Sequence, residues 1–192
     1  MLFNRSTLLA ALASLALAGA ALAAPVSYAL DATASVVGFE TDFGPDRITG
    51  QMPVTRADLS LDFAHVARST VAVTLNASAA VASFPFAAQA MRGPKVLDTA
   101  QYPQIGFQSS SVRTEGDGAR VDGQVTIRGA TRPMVLHATI WRQQGSVATD
   151  LSHLVIRLTG AVNRSDFGAT GWADMVGDEV RLDIVARIVQ VP

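Results

Sequence analysis

Three histidines are the residues in this sequence best suited to proton transfer or metal binding. They are His65, His137 and His153, and they lie far apart, on or beside predicted strands. Histidine-based metal sites usually show close spacing, as in H-E-x-x-H. The wide spacing therefore favours surface histidines, and we predict no bound metal.

The sequence lacks the usual motifs of nucleophilic catalysis. There is no cysteine, which excludes thiol catalysis, thiolate metal sites and disulfides. There is also no G-x-S-x-G elbow and no phosphate-binding loop. The segment 166–168 resembles a kinase tripeptide, but the other kinase motifs are absent. Carboxylate pairs such as Asp98 and Glu115 could serve as acid and base, but nothing in the sequence brings them together in space. We therefore predict no catalytic residue, no cofactor and no enzymatic activity.

Charge and composition exclude two further classes of protein. The chain carries 15 basic and 16 acidic residues, a net charge of −1, which argues against nucleic-acid binding by phosphate neutralisation. Apolar residues make up 49% of the chain, which is too many for a disordered protein. A chain of 192 residues is long enough for one domain with a sizeable core.

The first 23 residues are typical of a cleaved signal peptide. Arg5 precedes an apolar run at 8–18, and Ala21-Leu22-Ala23 matches the pattern that signal peptidase reads. The run is shorter than the roughly 20 residues that span a bilayer. We therefore predict cleavage after Ala23, no stable membrane anchor and a domain at 24–192. A soluble exported chain without cysteine fits the bacterial periplasm.

Most of the remaining chain alternates between apolar and polar residues, which is typical of strands with one buried face. The clearest case is 179–189, where Val180, Leu182 and Ile184 share one face. The same period of two recurs at 58–63, 70–76, 121–128, 134–140 and 154–163. Weaker strands are predicted at 37–43, 48–54 and 105–111.

Turn and helix signals separate these strands. Tight connections are predicted at 115–118, 128–131 and 144–146, where glycines occur. The apolar parity flips between Val54 and Leu59, which predicts either one bulged strand or two strands. One helix is predicted at 84–92 with Ser83 as its cap, and a second helical turn at 96–100.

The pattern therefore predicts an all-β fold of eight to ten antiparallel strands with one or two short helices. One-sided strands must bury their apolar faces together, so the fold is a sandwich or a closed barrel. Small inward residues favour a barrel with room for a ligand: Gly123, Ala138, Gly160 and Ala186. A filled barrel is the alternative.

Six segments, in the same order along the chain, resemble the YceI-like family of exported polyisoprenoid-binding proteins. They are Tyr28–Asp31, Ser35–Phe39, Val96–Ser109, Val121–Pro133, Asn163–Gly168 and Gly177–Val180. The resemblance implies a lipocalin-like antiparallel barrel of eight strands or slightly more. It also implies an apolar interior that takes a polyisoprenoid, an isoprenoid quinone, or a fatty acid or amide, without catalysis.

The inward apolar positions are then the expected lining of a lipid cavity. They are Phe39, Phe43, Val73, Ile105, Phe107, Gly123, Val125, Leu136, Ala138, Ile140, Leu158, Gly160, Phe167, Leu182 and Ile184. A headgroup at the mouth would be oriented by cations on predicted loops or strand ends: Arg47, Lys95, Arg132 and Arg164. The sequence leaves a homodimer open. The alternative functions are an interaction or structural module with a filled barrel, and a small lipid-acting hydrolase.

Overall fold

A computed structural model describes residues 24–141, 147 and 150–192. The predicted leader, residues 1–23, and the predicted connection at 144–146 lie outside the described residues. Within the described part of the chain there are eleven strands and one α-helix. No helix there has the length and apolar character needed to cross a bilayer.

The strands follow the predicted alternation closely, and the helix lies between the sixth and seventh strands. The strands are β1 (Val26–Leu30), β2 (Val36–Phe43), β3 (Asp46–Met52), β4 (Val54–Leu61), β5 (Thr70–Asn76), β6 (Val81–Ala82), β7 (Gln104–Glu115), β8 (Gly118–Ile127), β9 (Ala130–Trp141), β10 (His153–Asn163) and β11 (Glu179–Gln190). The helix is α1 (Pro85–Arg92), and 3₁₀ turns occupy Val66–Arg68, Ala77–Ala79 and Arg164–Phe167.

Eight strands close into an antiparallel barrel in the order β1-β4-β5-β7-β8-β9-β10-β11. The ring closes where β11 pairs with β1, with Leu30 opposite Ile188. Closure pairs every strand of the ring on both sides, so the ring has no edge strand. The predicted all-β barrel is confirmed, and the sandwich that the strand pattern had left open is not formed.

β11 also has a second partner, and this adds an extension to the barrel. Its N-terminal half, Arg181–Val185, pairs with β2, and β2 continues the sheet through β3 to β6. The chain turns out of β1 at Asp31, whose Oδ1 accepts hydrogen bonds from the backbone N–H groups of Thr33 and Ala34. The sheet therefore branches at β11, with the ring on one side and β2, β3 and β6 on the other.

The predicted parity flip between Val54 and Leu59 falls inside β4, just after a break in the sheet at Pro53. Pro53 separates β3 from β4, as expected of a residue that cannot donate to a ladder. The register of β4 against β5 then shifts between Val54 and Arg56, which is a β-bulge. Of the two proposed explanations the bulge accounts for the flip, because Val54 and Leu59 belong to one strand and Pro53 precedes both.

Two tight hairpins form where glycines predicted them. Gly116 and Asp117 connect β7 to β8, and Gly116 has a φ of 59°. Arg128 and Gly129 connect β8 to β9 with φ values of 50° and 74°. Two consecutive positive φ values are typical of a type I′ turn, whose twist matches that of antiparallel strands.

The helix begins differently from the prediction. Ser83 does not cap α1. Its Oγ accepts a hydrogen bond from the backbone N–H of Thr49, and its own N–H donates to the Thr49 carbonyl at 2.7 Å. Phe84 precedes the helix without a side-chain cap, and Pro85 occupies its first turn, a position where the missing N–H is not needed. The predicted second helical turn at 96–100 is a series of turns, interrupted where Asp98 has a φ of 49°.

An exposed ion-pair cluster links β11 to β2. Arg181 donates from Nε to Glu40 Oε1 at 2.8 Å and from Nη2 to Asp42 Oδ1 at 2.6 Å. These hydrogen bonds hold the pKa of Glu40 and the pKa of Asp42 below their usual values, and the two carboxylates raise the pKa of Arg181. The cluster therefore favours the pairing of the strand that begins the extension.

We expect part of the stability of the protein to disappear in acid through this cluster. A lowered carboxyl pKa in the folded state stabilises the protein above the unfolded pKa, and the contribution is lost as the pH falls through the folded value. The unfolding free energy should therefore fall between about pH 5 and about pH 2. Urea denaturation of wild type and Arg181→Met across this range checks the prediction. An equal pH dependence in both proteins would contradict it.

Candidate functional site

The inward side chains of the barrel enclose a cavity of about 1390 Å³. Typical small-molecule sites measure roughly 300–1,000 Å³, so this cavity has room for a larger ligand. Its wall is formed mainly by aliphatic and aromatic side chains from the barrel strands, β2, β3 and α1. The filled barrel that the sequence left as an alternative is not what the structure shows.

The structure places most of the predicted lining residues on this wall. They are Phe39, Phe43, Val73, Ile105, Phe107, Val125, Leu136, Ala138, Ile140, Leu158, Phe167, Leu182 and Ile184. The period-two alternation of the sequence predicted these positions, because alternate residues of a strand in a closed barrel face its interior.

Gly123 and Gly160 were also predicted to line the cavity, but neither contributes to its wall. A Cβ on Gly160 would lie 2.7 Å from the Val135 carbonyl oxygen and 2.8 Å from Leu136 Cδ2. A Cβ on Gly123 would lie 2.5 Å from the ring of Phe107. Neighbouring atoms already fill the space beside both glycines, so their small size permits close packing and does not enlarge the cavity.

One end of the barrel, called the lower end here, is closed by its own apolar cluster. Tyr28, Leu154 and Ile188 are buried there, and Phe63 packs against them. The rings of Tyr28 and Phe63 meet edge to face with centroids 5.9 Å apart. The Tyr28 hydroxyl donates to the Leu151 carbonyl at 3.0 Å. This cluster forms the floor beneath the cavity.

The loop at 62–69, also at the lower end, is organised by a buried carboxylate. Asp62 Oδ1 accepts from the backbone N–H groups of Ala64 and His65, and Oδ2 accepts from Arg68. Burial alone would raise the pKa of Asp62, but the hydrogen bonds from His65, Arg68 and Ala64 outweigh it, and the pKa is lowered. This carboxylate therefore stays ionised and holds the loop that contributes Val66 to the wall.

Three segments meet at the opposite, upper end of the barrel. Arg128, in the β8–β9 turn, donates to the Pro94 carbonyl at 2.7 Å and also to the Gly168 carbonyl. It thereby joins the chain that follows α1 to the long loop at 168–178. Both segments contribute residues to the cavity wall, including Val96 and Trp172.

Arg164 has a different task from the predicted headgroup contact. It is buried beside the cavity, and its guanidinium donates to four backbone carbonyls: Gly177 at 2.8 Å, Ala169 at 2.6 Å, Gly171 at 2.8 Å and Val176 at 2.8 Å. These bonds fix the loop at 168–178. The next residues complete the arrangement, because Phe167 lies on the wall and Gly168 turns the chain with a φ of 71°.

The other three predicted headgroup cations also separate into different roles. Arg47 is exposed, pairs with Glu40 at 3.3 Å and does not line the cavity. Arg132 is exposed on β9 and bonds to the Thr131 carbonyl, away from the wall. Lys95 does border the cavity, and its Nζ lies 5.8 Å from the centroid of the Trp172 ring. Of the four, Lys95 alone combines a place on the wall with a charge that no described hydrogen bond or ion pair engages.

The three histidines and the carboxylates Asp98 and Glu115, which are the residues best suited to acid–base chemistry, do not form a common site. His137 pairs with Glu115 at 2.6 Å on the outer surface, His65 neighbours Asp62, and His153 neighbours Ser152. Asp98 lies at the upper end, so it is remote from Glu115, which ends β7 at the lower end. Among the described residues, no three His, Asp or Glu side chains are grouped to hold a metal ion.

Sequence reasoning missed the residues that surround the upper opening. Phe84, Phe86, Trp172 and Met175 line the cavity and are also exposed to solvent. In the sequence these four residues are large apolar side chains in segments that do not alternate like strands. That pattern shows that they are apolar but does not say whether other parts of the fold bury them.

Comparison with known proteins places this barrel in a family. A family model described as the YceI-like domain matches residues 28–188. The chain belongs to the YceI-like family. Protein YceI of Salmonella arizonae is 29% identical over 120 residues, which is 62% of each chain. A UPF0312 protein of Yersinia pestis is 31% identical over 101 residues, 53% of this chain and 52% of the relative. The chain thus spans about half the length of the Yersinia relatives it matches.

Solved structures show the same YceI-like fold. Burkholderia cenocepacia BcnA has a TM-score of 0.73 at 20% identity, covering 83% of this chain and 99% of that one. A structure described as a polyisoprenoid binding domain from Saccharophagus degradans has a TM-score of 0.61 at 13% identity, covering 86% and 99%. The barrel architecture is therefore shared at low sequence identity.

Replacement of Arg164 should destabilise the protein strongly. Arg164→Met leaves four backbone carbonyls without their charged donor, and we expect a loss of about 3 kcal/mol or more. Arg157→Met is the matched control, because Arg157 makes an exposed ion pair with Asp183 at 2.7 Å. That pair should contribute no more than about 1 kcal/mol. Urea denaturation of both variants checks the prediction, and equal losses would contradict it.

Proposed function

We propose that the protein is a non-catalytic carrier that holds one long apolar chain inside its barrel. The observation that carries the proposal is the cavity of about 1390 Å³ with its largely apolar wall. Burying methylene groups there would contribute about 0.8 kcal/mol each, before the costs of association are subtracted. Many such groups along one chain could therefore give tight binding without a hydrogen bond.

The few polar groups on the wall are mostly engaged by the protein itself. Thr41 donates to backbone carbonyls, Ser69 accepts from Asp62 N–H, and Ser35 bonds to the backbone of Arg187. A polar ligand inside the barrel would lose its hydrogen bonds to water without replacement, which is costly. The wall therefore favours an apolar chain.

The class of ligand proposed is a polyisoprenoid, an isoprenoid quinone, or a fatty acid or amide. Family membership supports this class, and the description of the Saccharophagus degradans structure as polyisoprenoid binding supports its first member. The proposed place of action is the periplasm, reached through cleavage after Ala23. The order of charge, apolar run and small residues in 1–23 supports this route.

We further propose that Lys95 orients a polar or anionic headgroup at the upper end. Its ammonium lies beside the opening and is not engaged by any described carboxylate. Gln89 also borders the cavity from α1, and its side chain makes no hydrogen bond within the described part of the chain. The apolar chain would then extend from these residues toward the floor formed by Tyr28 and Ile188.

Native mass spectrometry of protein purified from the periplasm tests the carrier. We expect an added mass that is released by organic extraction and corresponds to a lipid with one long chain. N-terminal sequencing of the same sample should begin at Ala24. A ligand-free protein that also fails to bind added farnesol, ubiquinone and palmitate would overturn the proposal.

Filling the cavity should displace the ligand with little damage to the fold. In Ala138→Trp the new ring would point into the cavity, so lipid retention should fall while the melting temperature changes by a few degrees. Gly160→Ala is the control, because its Cβ would meet backbone oxygen at 2.7 Å. It should cost about 1–3 kcal/mol of stability through overpacking and leave lipid retention of the folded protein intact. Full retention in a well-folded Ala138→Trp would contradict the cavity site.

Loss of the Lys95 charge should weaken binding of acidic ligands selectively. We expect Lys95→Gln to lower affinity for palmitate by about threefold, as for an exposed ion pair, and to leave affinity for hexadecanol unchanged. Arg132→Gln is the control, because Arg132 is an exposed cation that does not line the cavity, and this variant should change neither affinity. Equal losses of affinity for palmitate and for hexadecanol would show that Lys95 does not recognise the charge of the headgroup. Competition against a fluorescent fatty acid measures both.

A further inference from the structure

We propose that the upper opening of the barrel docks reversibly on the surface of a lipid bilayer. The docking surface, called the upper rim, consists of Phe84, Phe86, Trp172 and Met175. Contact with a bilayer would let an apolar chain pass between membrane and cavity without crossing water. Docking of this kind is peripheral and needs no membrane-spanning segment.

The upper rim is both exposed and continuous with the cavity. The exposed fractions are 45% for Phe84, 83% for Phe86, 40% for Trp172 and 48% for Met175. All four residues also line the cavity. Large apolar side chains held in water are unfavourable, and a contiguous exposed group of them commonly marks an interaction site.

Backbone hydrogen bonds fix the two segments that present the upper rim. Ser83 N–H donates to Thr49 at the start of α1, and Leu97 N–H donates to the Met91 carbonyl at its end, at 2.9 Å. In the other segment, Gly44 N–H donates to the Met175 carbonyl at 3.1 Å. The side chains are therefore displayed by a supported backbone.

The residue types of the upper rim suit the boundary between headgroups and acyl chains. Tryptophan is enriched at that boundary because its ring is largely apolar and its N–H is polar. Lys95 lies beside Trp172, and a lysine can keep its ammonium in the headgroup layer while its methylene stem follows apolar surface. Phe86, the most exposed of the four, would insert furthest.

Continuity with the cavity favours a bilayer over a protein partner as the occupant. Trp141 is also exposed, at 67%, but it does not line the cavity and lies on β9 near the lower end. Among the described residues that line the cavity, the large apolar side chains that are exposed all belong to the upper rim. The rim therefore lies where a lipid chain would enter or leave.

The charges beside the upper rim have both signs. Arg92, the last residue of α1, and Lys95, three residues after it, are exposed, and Asp174 is exposed between Trp172 and Met175. A mixed margin gives no strong attraction to anionic lipid, so apolar insertion must supply the binding. Docking should accordingly depend little on salt, whereas binding through a basic surface weakens as salt rises.

Vesicle flotation tests the docking. Purified protein is floated with vesicles of phosphatidylcholine, and with vesicles of phosphatidylethanolamine and phosphatidylglycerol, at low and high salt. We expect wild type to float with both, and Phe86→Ser to partition about tenfold more weakly. Trp141→Ser is the matched control and should partition like wild type. Absence of wild-type flotation, or equal losses in the two variants, would overturn the proposal.

Tryptophan fluorescence gives a second readout that does not depend on Phe86→Ser folding. The chain has two tryptophans, so Trp141→Phe leaves Trp172 alone and Trp172→Phe leaves Trp141 alone. Brominated phosphatidylcholine vesicles should quench Trp172 and leave Trp141 unaffected. Quenching that disappears when the vesicles are removed supports docking. Quenching that persists reflects lipid held in the cavity and counts against docking as its cause.

Docking and cavity binding fail separately in these experiments. Binding of a soluble fluorescent fatty acid without vesicles reports the cavity alone, so loss of flotation with intact probe binding would overturn docking and leave the carrier. Light scattering addresses a second copy of the chain as the occupant. A dimer that Phe86→Ser converts to monomer, without flotation of wild type, would overturn the bilayer as partner.

Discussion

The double pairing of β11 is the constraint on which the rest of the molecule depends. Its C-terminal residues pair with β1 and close the ring, and its N-terminal half pairs with β2, which leaves the ring. Closure satisfies the backbone groups of eight strands. β2 leads the sheet away from the ring through β3 to β6, and α1 follows β6 in the chain and contributes to the cavity wall. One strand thus produces both a continuous wall and an opening bounded by the upper rim.

The cavity depends on where the polar groups of the chain find partners. Arg181 binds carboxylates on the outside of the barrel, and Arg164 is occupied by four carbonyls of the loop it supports. Asp62 is satisfied within its own loop. Because these groups are bonded elsewhere, the wall stays apolar. A wall with empty space on one side lacks dispersion contacts that an apolar chain could supply.

The segment Asn163–Gly168 shows how residues that suggest chemistry can serve structure. Its acid, aromatic and glycine order resembles a catalytic tripeptide. In the barrel, Arg164 fixes the loop at 168–178, Phe167 lies on the wall, and Gly168 adopts the left-handed conformation that favours glycine. The segment shapes the upper end of the cavity through position and hydrogen bonds.

The sequence by itself determined nine of the eleven described strands, two of the hairpins and which face of each of those strands is apolar, whereas β1 and β6 emerge only in the structure. These features depend on neighbours along the chain. Alternation with a period of two shows which face of a strand is apolar, and a glycine-containing turn between two strands predicts a hairpin. Helix 85–92 was also readable, although Ser83 bonds to Thr49 across the sheet and does not cap it. Tertiary structure decided closure over a sandwich, since β1 and β11 lie at opposite ends of the domain. It also decided that Gly123 and Gly160 lie against neighbouring atoms while Ala138 faces open space. An apolar face is a local property, but what that face meets depends on residues distant in sequence.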